Sequence, residues 1–145
     1  VNLRRATPGD AEALALAMRR TVRESLAFLP ELHTPEEDLA FFSGVVLPRS
    51  EVWIADVDDA LAGFIALRPG WIDHLYVTPE AQGRGVGSAL LAIALEPGRA
   101  RRLWTFQKNA RARGFYEARG FVVETLTDGS GNEEKEPDAL YVWRG

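Results

Sequence analysis

Apolar residues recur at helical spacing in Leu14, Met18, Val22, Leu26 and Leu29, which predicts one helix with a single buried stripe. Thr7-Pro8-Gly9-Asp10 supplies its start. Thr7 can cap, Pro8 suits the first helical position, and Asp10 sits near the positive end of the helix dipole. Pro30 ends the run. Thr34-Pro35-Glu36-Glu37 repeats the start signal, now with the glutamate of a capping box. Leu39, Phe42 and Val46 form the apolar side of this second, shorter helix, which Gly44 and Pro48 are expected to close. Asn2 to Ala6, ahead of both, is a short strand.

The pattern then changes to strands. Glu51 to Val57 is one, ending at the turn Asp58-Asp59, and Leu61 to Arg68 is the next, so the short connection implies a hairpin. After Pro69-Gly70, Trp71 to Val77 is a third strand. Ser88 to Leu95 reads as a helix with Leu90, Leu91 and Leu95 on one side, stopped by Pro97-Gly98. Arg102 to Gln107 is a strand. Asn109 caps a helix to about Arg119, with Gly120 placed to end it in the left-handed conformation. Phe121 to Leu126 and Ala139 to Trp143 are the last strands, joined by the polar loop Thr127 to Asp138. The order βααβββαβαββ predicts an α/β domain with a mixed sheet. Its two α-then-β alternations favour some parallel pairing. With no repeats or linker, residues 1–145 are expected to form one domain.

Composition narrows the function classes. The 145 residues are 46% hydrophobic and 26% charged, as in a soluble globular protein. No apolar run approaches the ~20 residues of a membrane span. The start, Val1-Asn2-Leu3-Arg4-Arg5, carries no stretch like a secretory signal. The absence of cysteine excludes disulfides, thiolate metal sites and a cysteine nucleophile, and a cytoplasmic location fits. A net charge of −4 disfavours wholesale nucleic-acid binding. The charge is uneven: Arg99 to Arg119 is basic, whereas Glu124 to Asp138 is acidic. Two solvated surfaces would explain this, and so would one end that meets an anion and another that meets a cation.

Gly83, Gly85 and Gly87 alternate just after a strand and just before a helix. Glycine permits a tight turn and close approach of an anion to backbone amides. The first helical amides lack partners within the helix, and the dipole is positive there, so a phosphate or pyrophosphate is the natural ligand. Arg84 adds a mobile positive charge. A Walker loop would end in Gly-Lys-Ser/Thr, but here Gly87-Ser88-Ala89 has no lysine. A dinucleotide fingerprint fails too, because its last glycine would fall on Ser88 or Leu90.

The stretch Leu75-Tyr76-Val77-Thr78-Pro79-Glu80-Ala81-Gln82-Gly83-Arg84-Gly85-Val86-Gly87-Ser88 resembles the acetyl-CoA motif of the GNAT superfamily of N-acetyltransferases, Q/R-x-x-G-x-G/A. Asn109, Ala112, Phe115-Tyr116-Glu117 and Gly120-Phe121 resemble that family's second motif, N-x-x-A-x-x-F-Y-x-x-x-G-F. The resemblance implies a mixed, mostly antiparallel central sheet whose middle strands splay to admit the pantetheine arm. It also implies acetyl-CoA as co-substrate and no metal. By the same resemblance, Leu75, Tyr76 and Val77 contact pantetheine and acetyl through their main chains. Gln82, Gly83, Arg84, Gly85, Gly87 and Ser88 hold the pyrophosphate, and Asn109 contacts the CoA arm while it also serves as a helix N-cap. Tyr116 matches the tyrosine that protonates the leaving thiolate. Gly114, in mid-helix beside it, departs from a good helix former.

The general base stays open. Regular alternation would put Asp73 on the face of Leu75 and Val77, beside the thioester. A bulge would flip that parity and offer His74 instead, and ordered water is the third route. His33 reads as an exposed turn residue. The acidic loop Asp128 to Asp138 could hold an acceptor's ammonium or simply solubilise the chain. The resemblance implies N-acetylation of a primary amine by direct attack in a ternary complex. A small-molecule amine is the first expectation for the acceptor, and a protein N-terminus or lysine the second. Dimers are common in the family. The competing class is a non-catalytic acetyl-CoA-binding sensor or protein-interaction domain.

Overall fold

The start signal at Thr7 folds as a short 3-10 turn, Pro8–Asp10, in which the Asp10 carboxylate accepts the Thr7 amide at 2.7 Å. Helix α1 follows, Ala11–Ser25. The computed structural model describes residues 1–145, which divide into two compact units, Val1–Ala94 and Leu95–Gly145.

In the first unit, β1 (Asn2–Arg5), β2 (Glu51–Val57), β3 (Ala60–Arg68) and β4 (Trp71–Val77) pair antiparallel in that order. Alternation along the strands gives this sheet two working faces. Val52, Ile54, Phe64 and Ala66 form one apolar layer with Leu14 of α1, Phe42 and Val46, and Tyr76 of β4 packs against it. The Phe42 and Phe64 rings meet edge-on at 5.6 Å. Each such fully buried ring contributes roughly 1.5–3 kcal/mol. The other face is offset by one residue. There Gly63 of β3 lies beneath Val86 and Leu90 of α4 (Val86–Ala94).

Two helix ends differ from the expectation. Helix α1 stops at Ser25, short of Leu29, because Leu26 turns out at φ −126°, ψ 51°. Leu26 is still buried, so the periodic stripe continues in space without the helix. The second helix does not close at Gly44. Helix α2 (Pro35–Phe41) runs into a π-helical segment, Phe42–Val46, and then α3 (Leu47–Arg49). The wider turn leaves both Phe42 and Val46 buried, which a chain break at Gly44 would prevent. Pro48 falls in the first turn of α3, where a missing N–H is tolerated. The capping box is formed: Thr34 Oγ1 accepts the Glu37 amide at 3.1 Å, and Glu37 accepts the Thr34 amide at 2.9 Å. Arg19 of α1 pairs with the buried Asp38 of α2 at 3.0 Å and fixes the two helices side by side.

In the second unit, β7 (Asp138–Trp143) lies between β5 (Arg101–Phe106) and β6 (Val122–Leu126), antiparallel to both. Helix α5 (Ala110–Glu117) connects β5 to β6. Helix α5 ends two residues before the expected Arg119, and the chain closes it with Phe121 N to Tyr116 O at 3.1 Å and with Gly120 at φ +90°. Leu103, Phe121, Ala139, Tyr141 and Val142 are buried. No helix of either unit is long and apolar enough to cross a membrane.

Candidate active site

The glycine turn joins β4 to α4 as expected. Thr78 leaves the strand buried, with its amide and hydroxyl both donating to Ala62 O at 2.9 and 3.2 Å. A 3-10 turn, Pro79–Ala81, follows. Gly83 and Gly85 then take φ +78° and +82°, which L side chains rarely adopt. A Cβ on Gly85 would meet nothing within 4 Å, so the space beside Gly85 is open. Arg84 between them is exposed. Helix α4 begins at Val86, earlier than the expected Ser88, so Gly87 and Ser88 lie in its first turn with their amides at the positive end of the dipole. Amides at a positive helix end are the kind of donor that binds a phosphate.

The Gln82 side chain faces back into the protein. Its Nε2 donates to Val77 O at 3.0 Å and to Ser25 Oγ at 3.2 Å. Arg20 of α1 forks onto Glu80, with Nη1 to Oε1 at 2.8 Å. These contacts hold the turn against α1.

On β4, the register slips opposite Ala66 and Leu67, which pair with His74 and Ile72 and leave Asp73 as the extra residue of a bulge. Asp73 points to Arg68, whose Nε and Nη2 donate to its two oxygens at 2.5 and 2.9 Å. Leu75 and Val77 pair with Ile65 and Gly63 and share the face of α4. His74 and Tyr76 share the opposite face. The His74 ring stacks on Tyr76 at 6.1 Å and meets Phe41 at 5.9 Å and Phe42 at 6.2 Å. Burial among these rings lowers the His74 pKa from its ordinary value, against a smaller opposing pull from Asp73.

A pH dependence follows. The folded protein keeps His74 neutral where the unfolded chain already takes up a proton, below about 6.5. Stability is therefore expected to fall as pH drops below about 6.5 towards the lower native value. The carboxylates held low by their partners, such as Glu31, Glu80 and Glu124, lose their contribution only further down, below 4.5. Thermal melts of the protein and of His74→Phe between these limits should diverge, with the variant less sensitive to acid. Parallel curves would contradict this reading of His74.

In the second unit, Asn109 Oδ1 accepts the Ala112 amide at 3.2 Å and caps α5. Tyr116 is buried at the other end of α5, with its ring 5.3 Å from both Phe115 and Phe121 and 6.3 Å from Tyr141. Gly114 lies between them, and a Cβ there would meet nothing within 4 Å. Gly114→Ala should therefore raise stability by about 0.5–1 kcal/mol in a denaturant titration. A loss of stability would mean that the position needs glycine.

The acidic loop is folded on itself. Asp128 accepts the Ser130 amide at 2.9 Å, and Glu136 pairs with Lys108 at 3.2 Å. Asp138 bonds to Thr127 and accepts Asn132 Nδ2 at 3.2 Å. Arg68, Gly63 and the partners of Tyr141 were not singled out from the sequence. Gly63 alone had a signal, an isolated glycine inside a strand, which marks close approach of another backbone.

Known proteins share both sequence and fold with this chain. The family model described as "Acetyltransferase (GNAT) domain" matches residues 48–123, more than half of the chain. The chain is 32% identical over 127 residues to the peptidyl-lysine N-acetyltransferase YjaB of Salmonella typhimurium, covering 85% of this chain and 84% of that one. It superposes on the solution structure of apo-form YjaB from Escherichia coli with a TM-score of 0.79 at 26% identity, over 99% of this chain and 97% of that one. The PaiA N-acetyltransferase of Thermoplasma acidophilum, solved in complex with coenzyme A, shares the fold at 20% identity, with a TM-score of 0.77 over 99% and 98% of the two chains. The matched span takes in the glycine turn, Asn109 and Tyr116 together, and the chain belongs to the GNAT family of acetyltransferases.

Proposed function

We propose that this acetyltransferase moves the acetyl group of acetyl-CoA to a primary amine by direct attack in a ternary complex, and that the amine is a lysine side chain of a peptide or protein. The glycine turn between β4 and α4 carries the donor half of this reading, with Gly83 and Gly85 at positive φ and open space beside Gly85. In it, the amides of Gly83, Arg84, Gly85, Gly87 and Ser88 bind the pyrophosphate, and Asn109 contacts the CoA arm. The main chains of Leu75, Tyr76 and Val77 receive the pantetheine and polarise the thioester carbonyl.

The amine nitrogen forms a bond to the acetyl carbon as the carbon–sulfur bond breaks. Tyr116 gives its phenolic proton to the departing thiolate, a transfer between groups of similar pKa. The proton lost by the amine goes to His74 or to water beside it. His74 is favoured over Asp73 because both Asp73 oxygens already accept hydrogen bonds from Arg68.

The acceptor class rests on the YjaB relative, which is named a peptidyl-lysine N-acetyltransferase. The bonding of Asp128 and Asp138 within the loop, and of Glu136 to Lys108, also weakens the case for these three carboxylates as holders of a small cation. CoA release should be measured over lysine peptides, N-terminal peptides, polyamines, amino acids and aminoglycosides, with the products weighed by mass spectrometry. Acetylation of lysine peptides at the highest kcat/KM is expected. Turnover confined to small amines would overturn the peptide assignment, and no turnover with tight CoA binding would favour the sensor reading.

A further inference from the structure

Helix α5 is short, and helices of this length are marginal without tertiary support. Gly114 weakens it further in its middle. A polar clamp spans this weak point. On one side of Gly114, Arg113 Nε donates to the Tyr141 hydroxyl oxygen at 2.9 Å. On the other, the Tyr141 hydroxyl donates to the Glu117 carboxylate. Arg113 and Glu117 also approach each other at 4.0 Å, and Arg113 Nη1 reaches Gln107 O at 3.4 Å, just before the Asn109 cap. Tyr141 is fully buried in β7, the central strand of its unit, where it pairs with Leu103 and Val123. It is therefore a fixed point to which both halves of α5 are tied. Tyr116 stands between the two tied residues, and its ring lies 6.3 Å from that of Tyr141.

We propose that Tyr141 is a positioning residue for acetyl transfer, holding Tyr116 in place through Arg113 and Glu117 across the weak point at Gly114. The proposal rests on Tyr116 being the proton donor. A phenylalanine at 141 would keep the ring packing and remove only the hydroxyl that bridges the two sides. Small displacements of a reacting group carry large rate penalties, so the loss should appear in kcat and leave the KM for acetyl-CoA little changed.

The test is a double-mutant cycle on the full chain, with steady-state kinetics for Tyr116→Phe, Tyr141→Phe and the pair. Circular dichroism and a thermal melt of each variant ensure that rates are compared where all are folded. Tyr116→Phe should lower kcat about a hundredfold. Tyr141→Phe should lower it about tenfold with acetyl-CoA KM within about twofold. The pair should match Tyr116→Phe alone, because a residue acting through Tyr116 has nothing left to position. Glu117→Gln, whose amide oxygen can still accept from Tyr141, should retain more kcat than Glu117→Ala.

Additive losses, an unchanged kcat in Tyr141→Phe, or a change confined to KM would overturn the proposal. A normal kcat in Tyr116→Phe would instead remove the proton-donor reading itself, and the positioning role with it. Should Tyr141→Phe fail to fold, the Glu117 pair decides, and equal kcat values for Glu117→Gln and Glu117→Ala would overturn the proposal.

Discussion

Replacing Tyr116 with phenylalanine is expected to lower kcat by about two orders of magnitude or more, the range in which a positioned acid contributes. Binding of acetyl-CoA should be retained. The substitution leaves the ring against Phe115, Phe121 and Tyr141, so the packing at the end of α5 survives while the phenolic proton donor is lost. A departing thiolate without a donor must take its proton from solvent, and the carbon–sulfur step slows. Titration of acetyl-CoA into the variant separates binding from chemistry: an unchanged dissociation constant with a collapsed kcat is the expected pair of results. A wild-type kcat would show that the thiolate leaves without help from this phenol.

The second large effect concerns the support beneath the glycine turn. A Cβ on Gly63 would lie 2.7 Å from Tyr76 O and 3.2 Å from Leu90 Cδ1 and Val86 Cγ1. The side chains can yield by a few tenths of an ångström. The carbonyl cannot yield without distorting β4 beside the proposed thioester site. Gly63→Val should destabilise the protein by about 3 kcal/mol, at the upper end of overpacking effects. It should also raise the acetyl-CoA KM of the folded fraction, because the displaced Val86 opens α4 directly after Gly85. Gly63→Ala should shift both quantities in the same direction by less. A Gly63→Val protein with an unchanged melting temperature and KM would mean that the close packing of β3, β4 and α4 is not needed.

Much of this layout was legible in local sequence, because it follows from local rules. The caps at Thr34 and Asn109, the turn at Gly83 to Gly87 and the left-handed Gly120 each depend on residues close in the chain, and each formed as expected. The helix ends were less legible. Leu26 keeps the periodic pattern after the helix has stopped, since burial alone does not require helical backbone. Gly44 looked like a terminator, but the need to bury both Phe42 and Val46 carried the helix past it through a π-helical segment. The face of Asp73 turned on a bulge that the hydrophobic pattern cannot register. Its partner Arg68 becomes visible only when the β3–β4 hairpin is folded. The clamp on α5 likewise joins residues 24 and 28 positions apart, so no local spacing announces it.

The acidic loop teaches a related lesson. Its charge admitted an ammonium site or a solubilising surface; Asp128 and Asp138 bond within the loop, and Glu136 pairs with Lys108. Charge density in sequence does not distinguish a ligand site from a self-bonded loop, because both need carboxylates close together.

The most direct test of acetyl transfer to an amine in a ternary complex is an initial-rate study of CoA release, with acetyl-CoA and a lysine peptide varied together and the peptide product sequenced by mass spectrometry. The expected result is a family of intersecting double-reciprocal lines and one acetyl group on the lysine Nζ for each CoA released. Saturable binding of acetyl-CoA with no CoA release and no acetylated peptide or other amine would contradict it.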